Sequence, residues 1–332
     1  DATRGQKRGI ALNSASTTIS GSYIAECKAE GQDAQAIAGW NGPGPFTITN
    51  NYLEGAGENL LFGGGDPSIP DLVPSDIEIA GNTLEKPLTW RNSKWQVKNL
   101  LELKNARRVR IHDNVLRHNW QAAQSGYAVL FTVRNQDGGC AWCQVEQVTF
   151  ERNRLEKIAA GISILGKDDE HPSRQTQEIV IRDNLVTDLD NQAWGGSGYF
   201  LLLLGGPRNV VVSHNTIVQP HASGLIQVEG PPVQGFVFSQ NVARHSEYGI
   251  IGTGRGPGRD SIDAYLPGAR ITGNVIAGAD AGRYPPGNDY PKPSDFEAQF
   301  VDAANGDYRL KGRRRAGSNE LPPGANVEGL PQ

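Results

Sequence analysis

The chain has 332 residues, of which 37% are hydrophobic and 20% charged, and its 41 Gly and 20 Pro are too many for a helical protein. Its 32 basic and 36 acidic residues nearly cancel to a net charge of −4, which lacks the basic surface expected of a protein that binds nucleic acid. No apolar run approaches the roughly 20 residues of a membrane span, so we expect no membrane-spanning segment.

One eight-residue phrase recurs along the chain, with alternating apolar residues followed by Asn at its sixth position. In chain order the copies are TTISGSYI (17–24), FTITNNYL (46–53), IEIAGNTL (77–84), VRIHDNVL (109–116), VTFERNRL (148–155), IVIRDNLV (179–186), VVVSHNTI (210–217), FVFSQNVA (236–243) and ARITGNVI (269–276). The first copy carries Ser22 at the sixth position, and the others carry Asn51, Asn82, Asn114, Asn153, Asn184, Asn215, Asn241 and Asn274. A unit that returns every 26 to 39 residues indicates a solenoid.

A second apolar run lies between successive copies of the phrase. Examples are GIAL (9–12), NLLEL (99–103), AVLFTV (128–133), GISIL (161–165) and YFLLLL (199–204). Each repeat therefore contains at least two short strands, and no window of ten residues has the 3.6-residue period of a helix. The pattern predicts an all-β fold, a parallel β-helix of about nine stacked coils.

The recurring Asn has a structural explanation. A sharp corner between two strands requires the left-handed backbone conformation, which Asn tolerates well. Stacked Asn side chains can also hydrogen-bond to one another and to the next coil. We therefore predict that the eight Asn residues form a structural ladder and do not bind a ligand.

The series of phrases resembles the secreted bacterial right-handed parallel β-helix repeat proteins, whose fold is that of pectate lyases. The resemblance covers about residues 9–280, and FVDAANGDYRL (300–310) followed by LPPGANVEGL (321–330) is similar to the usual ending of that group. It implies a right-handed β-helix over residues 1–280, a capping strand and Gly/Pro-rich tail over 281–332, and a secreted or cell-surface protein. Lyases, hydrolases, epimerases, adhesins and phage tailspikes share this fold, so the fold does not determine the function.

The start of the chain departs from the resemblance, because only DATRGQKR precedes the first strand and it forms no capping helix. Solenoids need a cap on their first coil. We therefore expect that upstream coils are missing or that a partner covers this end, and that the chain self-associates there.

Four of the six Trp lie in connections between an Asn-bearing strand and the next apolar run: Trp90, Trp95, Trp120 and Trp194. Aligned indole rings at loop tips can stack on sugar rings and form a glycan-binding track. The alternative is that each Trp folds its own loop back onto the barrel, since large aromatic side chains usually bury most of their area.

A second group of candidates follows the apolar runs of three neighbouring coils, where Lys104, Arg134 and Lys167 occupy similar places. Such a stripe could bind the carboxylates of an acidic polysaccharide, or one member could remove the C5 proton in β-elimination if its pKa were lowered. The alternative is a set of solvated turn charges. Glu102 with Asp168 or Asp169, or Glu54 with Glu58 and Asp66, could supply the two carboxylates of a glycoside hydrolase, which lie ~5–9.5 Å apart.

Metal and redox chemistry have weak support in the sequence. We predict no cofactor, although Asp168 and Asp169 could hold Ca²⁺ together with loop carbonyls. The six His are scattered, which favours surface or loop roles over a zinc site. Cys140 and Cys143 form either a disulfide that clamps their loop or two free thiols.

Two functional hypotheses follow. The first is an extracellular polysaccharide lyase or glycoside hydrolase that works in a groove between the cation stripe and the Trp loops. The second is a non-catalytic cell-surface or matrix β-helix with a structural, self-associating or glycan-binding role. In both cases the expected partner is a polysaccharide.

Overall fold

The computed structural model of the protein describes residues 5–311 and 322–331 and confirms the predicted right-handed parallel β-helix. Three parallel sheets of nine strands, here named A, B and C, run along the solenoid, and each coil passes through them in that order. The only α-helices among the described residues are α1 (Asn191–Trp194) and α2 (Arg259–Tyr265). No helix in these ranges is long and apolar enough to cross a membrane.

The strands are short and keep one register from coil to coil. Sheet A contains β1 (Arg8–Ala11), β4 (Gln35–Gly39), β7 (Glu58–Phe62), β10 (Asn99–Leu103), β13 (Tyr127–Thr132), β16 (Ala160–Leu165), β19 (Tyr199–Leu204), β22 (Gly224–Glu229) and β25 (Ile250–Gly252). Sheet B contains β2 (Thr17–Ser20), β5 (Phe46–Thr49), β8 (Ser75–Ala80), β11 (Ala106–His112), β14 (Val145–Glu151), β17 (Gln177–Arg182), β20 (Arg208–Ser213), β23 (Val237–Ser239) and β26 (Arg270–Thr272). Sheet C contains β3 (Tyr23–Cys27), β6 (Tyr52–Gly55), β9 (Thr83–Glu85), β12 (Val115–Asn119), β15 (Arg154–Ile158), β18 (Leu185–Leu189), β21 (Thr216–Ile217), β24 (Val242–Arg244) and β27 (Val275–Ala277).

The core is a set of apolar stacks that run the length of the solenoid. In sheet B one fully buried stack consists of Ile79, Ile111, Phe150, Ile181, Val212 and Phe238. Alternation along each strand sends these side chains inward and their neighbours outward. The apolar positions of the recurring phrase are therefore the core positions of the fold.

The Asn ladder is confirmed at the corner between sheets B and C. The backbone N–H and the Nδ2 of each Asn donate to Oδ1 of the Asn in the next coil, at 2.9–3.1 Å. Ser22 begins the ladder, since its backbone N–H donates to Asn51. Asn288 of the tail, which the recurring phrase does not contain, extends the ladder beyond Asn274.

The predicted backbone of the corner was wrong by one residue. The left-handed conformation belongs to the residue before each ladder Asn, as at Asn50, Asp113, Asp183 and His214. The chain turns at that residue, which leaves the ladder Asn with its side chain pointing into the stack, where all its polar atoms are paired.

The tail packs against the last coils. A 3₁₀ segment (Glu297–Gln299) and a two-stranded antiparallel hairpin follow the β-helix. The hairpin pairs β28 (Phe300–Asp302) with β29 (Asp307–Leu310). Phe296 and Phe300 are buried against Val242 and Val275 on the outer side of sheet C. The other 3₁₀ segments are Leu88–Trp90, Ala281–Arg283, Pro293–Asp295 and Ala303–Asn305. The predicted domain boundary at residue 280 stays a prediction.

At the opposite end, β1, β2 and β3 have a strand neighbour on one side only within the described ranges. Tyr23 in β3 is 75% exposed and stacks on Tyr52 with ring centroids 4.9 Å apart. The expected cover of this end by further chain, a partner or a second copy stays a prediction.

Candidate functional site

Loop lengths at the corner between sheets C and A create two clefts on either side of α1. The connections after β9, β12 and β18 are long, whereas Ala159 alone joins β15 to β16. Because that coil has no loop of its own, the α1 segment leans across it. The backbone N–H of Gln121 donates to Trp194 O at 3.0 Å, and the Arg91 guanidinium donates to Ala193 O.

The first cleft, here called the tryptophan cleft, brings together the four Trp that the sequence singled out. Its volume is about 450 Å³, and its lining includes Trp90, Trp95, Trp120, Trp194 and Arg91. Trp90 and Trp120 are 2% and 4% exposed and form the floor with Val97, so these two fold their loops back as the alternative interpretation predicted. Trp95 and Trp194 are half-buried and leave part of their rings open at the rim.

Cations surround the two rim tryptophans. The Arg91 guanidinium lies 5.1 Å from the ring centroid of Trp194, and the ammonium groups of Lys28 and Lys94 each lie 5.0 Å from that of Trp95. Lys28 pairs with Glu26, and Lys94 pairs with Glu30. Arg91 has no carboxylate partner among the described residues, so it carries the uncompensated positive charge of the cleft. The sequence patterns do not single out Arg91, although it stands directly after Trp90.

The second cleft, here called the histidine cleft, lies on the other side of α1. It measures about 610 Å³, and Gln192 lines both clefts. Its polar lining also includes Gln219, His221, Ser223, Arg244, Ser246 and Glu247. The scatter of the six His predicts an ordinary loop role for His221, because nothing in the local sequence reveals its contacts.

The three predicted cations lie at the other edge of sheet A, in the turns that lead to sheet B. Lys104, Arg134 and Lys167 are not part of either cleft, since strands of five or six residues (~17–20 Å) separate them from the tryptophan loops. Arg134 pairs with both Asp168 and Asp169. Burial acts to lower the pKa of Arg134, but this pairing outweighs burial and raises the pKa. A base requires a lowered pKa, so Arg134 is poorly suited to remove a proton.

The predicted carboxylates do not form one pair. Asp168 accepts hydrogen bonds from the backbone of Asn135 and Glu170 and from Arg134. Burial acts to raise the pKa of Asp168, but these contacts outweigh it and lower the pKa. Asp168 is therefore an anion that holds its loop in place, and it is poorly suited to act as an acid. Glu102 lies two strands away on β10, where it accepts from Asn99 at 3.1 Å and Thr132 at 3.2 Å.

Glu102 instead shares a buried polar cluster with Glu58 on sheet A. Glu58 in β7 is opposite Asn99 in β10 and accepts a hydrogen bond from Gln35 at 2.8 Å. Burial, followed by the negative charges of Glu102 and Asp33, raises the pKa of Glu58 to about 7. A carboxylate pair with one raised pKa can perform acid–base chemistry, but both side chains are closed to solvent, at 1% and 2% exposure.

A buried lysine stabilises the corner beside this cluster. Lys86 is fully buried, and its ammonium donates to the carbonyls of Gly55, Ala56 and Gly57 and to Oδ1 of Asn59. Burial lowers the pKa of Lys86, and the charge of Glu58 opposes that shift.

Cys140 and Cys143 form a disulfide that closes a tight loop, which decides between the two alternatives left open by the sequence. Within residues 5–311 and 322–331, no group of three or more His, Cys, Asp or Glu side chains is placed to hold a metal ion. Asp168 and Asp169, the predicted Ca²⁺ ligands, both pair with Arg134, and a Ca²⁺ site there stays a prediction.

Comparison with known proteins adds little to this site. No family model and no curated protein matches the chain. Among solved structures, it is similar to a GH136 lacto-N-biosidase from Eubacterium ramulus, with a TM-score of 0.40 and 11% identity. The match covers 85% of this chain and 60% of that enzyme, so the chain spans less than two thirds of the enzyme's length.

Proposed function

We propose that this β-helix is a carbohydrate-active protein that binds an acidic glycan in the tryptophan cleft. The observation that carries the proposal is the convergence of four tryptophans, from three separate loops, on one open cleft. Residues as distant as Trp90 and Trp194 meet only because the α1 segment leans across the coil that has no loop.

The rim supplies the contacts that a sugar requires. The apolar faces of sugar rings pack on indole rings, and Trp95 and Trp194 offer partly open rings above a floor that is already packed. The buried pair, Trp90 and Trp120, holds that floor rigid, so little side-chain order has to be gained on binding.

The charge of the cleft favours an acidic glycan over a neutral one. Arg91 is exposed and unpaired with any carboxylate of the described chain, and its guanidinium can bind a uronate carboxylate in a bidentate manner. The stacking of Arg91 on Trp194 fixes the guanidinium at the rim, where a saccharide would meet both groups.

We further propose that the protein acts outside the cell, in an oxidising compartment. The disulfide between Cys140 and Cys143 supports this location, because disulfides are rare in reducing compartments.

Binding can be measured by isothermal titration calorimetry with oligosaccharides of polygalacturonate and alginate, and with neutral cello-oligosaccharides as a comparison. We expect Trp95→Ala and Trp194→Ala each to weaken binding of the acidic ligand by roughly 2- to 10-fold, since aromatic contacts contribute ~0.5–1.5 kcal/mol. Arg91→Ala should weaken the acidic ligand and leave any neutral one unchanged.

Trp40→Ala is the matched control, because Trp40 is also half-buried and stacked by a cation, Arg8, at 4.8 Å but lies outside the cleft. It should bind like the wild type. Equal losses in Trp40→Ala and Trp95→Ala, or no binding of any acidic glycan by the wild type, would refute the proposal.

A further inference from the structure

The histidine cleft contains a carboxylate–imidazole pair that no step of the proposed binding uses. Asp190 and His221 face each other in adjacent coils, where they form a parallel bridge that prolongs sheet C. The Nδ1 of His221 lies 2.8 Å from Oδ2 of Asp190. The backbone N–H of Asn191 donates to His221 O at 3.0 Å, so backbone contacts fix both residues.

Asp190 is held as an anion. Its Oδ1 accepts from the backbone N–H groups of Gln192 and Ala193 at the start of α1. Burial opposes ionisation, but the hydrogen bonds from His221 and these two amides lower the pKa of Asp190. An ionised Asp190 requires a proton on Nδ1 of His221, which leaves the lone pair on Nε2.

The Nε2 atom is open to the cleft. The His221 side chain is 52% exposed, and Nε2 has no hydrogen-bond partner among the residues that the structure describes. An imidazole that is oriented by a carboxylate and has a free Nε2 is the arrangement of a general base.

A buried amide of the same cleft also lacks a partner. Gln219 is 1% exposed, and its Nε2 donates to Arg244 O and to Ser246 Oγ. Its Oε1 has no hydrogen-bond partner within the described chain. A buried acceptor of this kind costs stability unless a ligand donates to it, and a sugar hydroxyl is such a donor.

Positive charge is available at the far wall of the cleft. Arg244 stacks over Phe296 at 5.0 Å and pairs with Glu297, whose side chain is 52% exposed. An ion pair this exposed can exchange its carboxylate for that of a ligand. Two charged side chains line the cleft with His221, namely Arg244 and Glu247. A third, Asp190, contacts Nδ1 of the imidazole.

We propose that the histidine cleft is a catalytic subsite in which His221 is the base for β-elimination on a uronate-containing glycan, and that Asp190 is its positioning residue. The proposal rests on the glycan binding proposed for the adjacent tryptophan cleft. Arg244 would bind the uronate carboxylate and so acidify the C5 proton.

The step balances without another reactant. Nε2 of His221 takes the C5 proton, and the electron pair of that C–H bond becomes the second bond between C4 and C5. The C4–O bond breaks, and its electrons stay on the glycosidic oxygen. The imidazolium returns the proton to that oxygen, which gives an unsaturated uronate and a free hydroxyl group.

The test follows the ultraviolet absorbance of the unsaturated product with polygalacturonate and with alginate. We expect the wild type to form product on at least one polymer, and His221→Ala to lower kcat by about 100-fold or more with little change in KM. Asp190→Asn, which keeps Oδ1 for the amides of α1, should lower kcat with little change in KM, because it removes the carboxylate that orients the imidazole. His171→Ala, in a loop outside the cleft, is the matched control and should act like the wild type.

Thermal melts establish that each variant is folded, and His221→Gln replaces His221→Ala if the alanine variant is not. Wild-type binding without unsaturated product, or undiminished rates in the His221 variants, would overturn the base assignment and leave glycan binding intact. Failure of the wild type to bind either polymer would overturn the proposed function itself, and the base assignment with it.

Discussion

The raised pKa of Glu58 follows from its place on the sheet. It is nearly fully buried, and two further carboxyl groups, Glu102 and Asp33, act on it. The hydrogen bond from Gln35 and the charge of Lys98 oppose these effects without cancelling them, so its pKa rises from its ordinary 4.5 to about 7. Desolvation of a carboxylate explains the direction.

This shift predicts how stability depends on pH. Folded Glu58 retains its proton to higher pH than the unfolded chain does, so its contribution to stability is complete below about pH 4.5 and is lost as the pH rises through 7. Glu58→Gln should therefore be more stable than the wild type at pH 8, by on the order of 1–3 kcal/mol, and similar to it at pH 4. Urea unfolding at both pH values measures the difference.

The matched control is Glu30→Gln, which removes an exposed carboxylate paired with Lys94 and should change stability by less than ~1 kcal/mol. A Glu58→Gln variant that loses stability equally at pH 4 and pH 8 would contradict the shifted pKa and indicate a purely structural role.

The sequence identified Glu102 as a candidate carboxylate but paired it with Asp168 and Asp169. Its negative charge acts instead on Glu58, 44 positions earlier, because β7 and β10 align Glu58 with Asn99, whose side chain donates to Glu102. That register depends on the length of every loop in the coil between them. Local spacing places a residue on a strand but not opposite a particular residue of the next coil.

At the scale of elements, the Asn ladder behaves as one continuous hydrogen-bonded unit. Asn153 is fully buried; its Oδ1 accepts from the backbone and side chain of Asn114, and its Nδ2 donates to Ile111 O and to Asn184. Asn153→Ala leaves several of these groups unpaired in the core. We expect a loss of about 3 kcal/mol or more in the free energy of unfolding, measured by chemical denaturation.

Ser22→Ala is the control for this ladder variant. Ser22 contributes only its backbone N–H to Asn51, which the substitution keeps, so the expected loss is below ~1 kcal/mol. Similar losses in the two variants would mean that side-chain pairing does not stabilise the corner.

The clefts also arise at the scale of elements. The sequence correctly placed four Trp in the loops between sheets C and A, but it left open whether they face solvent or the barrel. The structure divides them, since Trp90 and Trp120 are buried while Trp95 and Trp194 line the rim. Trp194 reaches the rim because the single-residue connection at Ala159 leaves room for α1 to lean across that coil.

At the scale of the whole molecule, each coil contacts mainly its two neighbours, so a change at one end should act locally. Phe300→Ala opens a cavity beneath the tail, next to Phe296, and should cost about 3–5 kcal/mol there. Hydrogen exchange should accelerate in β24 and β27 and stay unchanged in β6, far from the tail. Val301→Ala, at a 43% exposed neighbour, is the control and should leave exchange unchanged.

An equal acceleration in all coils of the Phe300→Ala variant would contradict this local behaviour. It would mean that the solenoid unfolds as one cooperative unit and that the tail stabilises all of it.

The sequence by itself determined the outline of the coil: at least two of its strands, its inward-facing residues and its Asn ladder all follow from a pattern repeated within about thirty residues. Only the tertiary structure decided which side chains of different coils meet, as Asp190 meets His221 and Gln35 meets Glu58. The physical reason is that parallel stacking brings together residues whose separation in sequence depends on loops of variable length. The periodic pattern specifies the strands but carries no information about those loops.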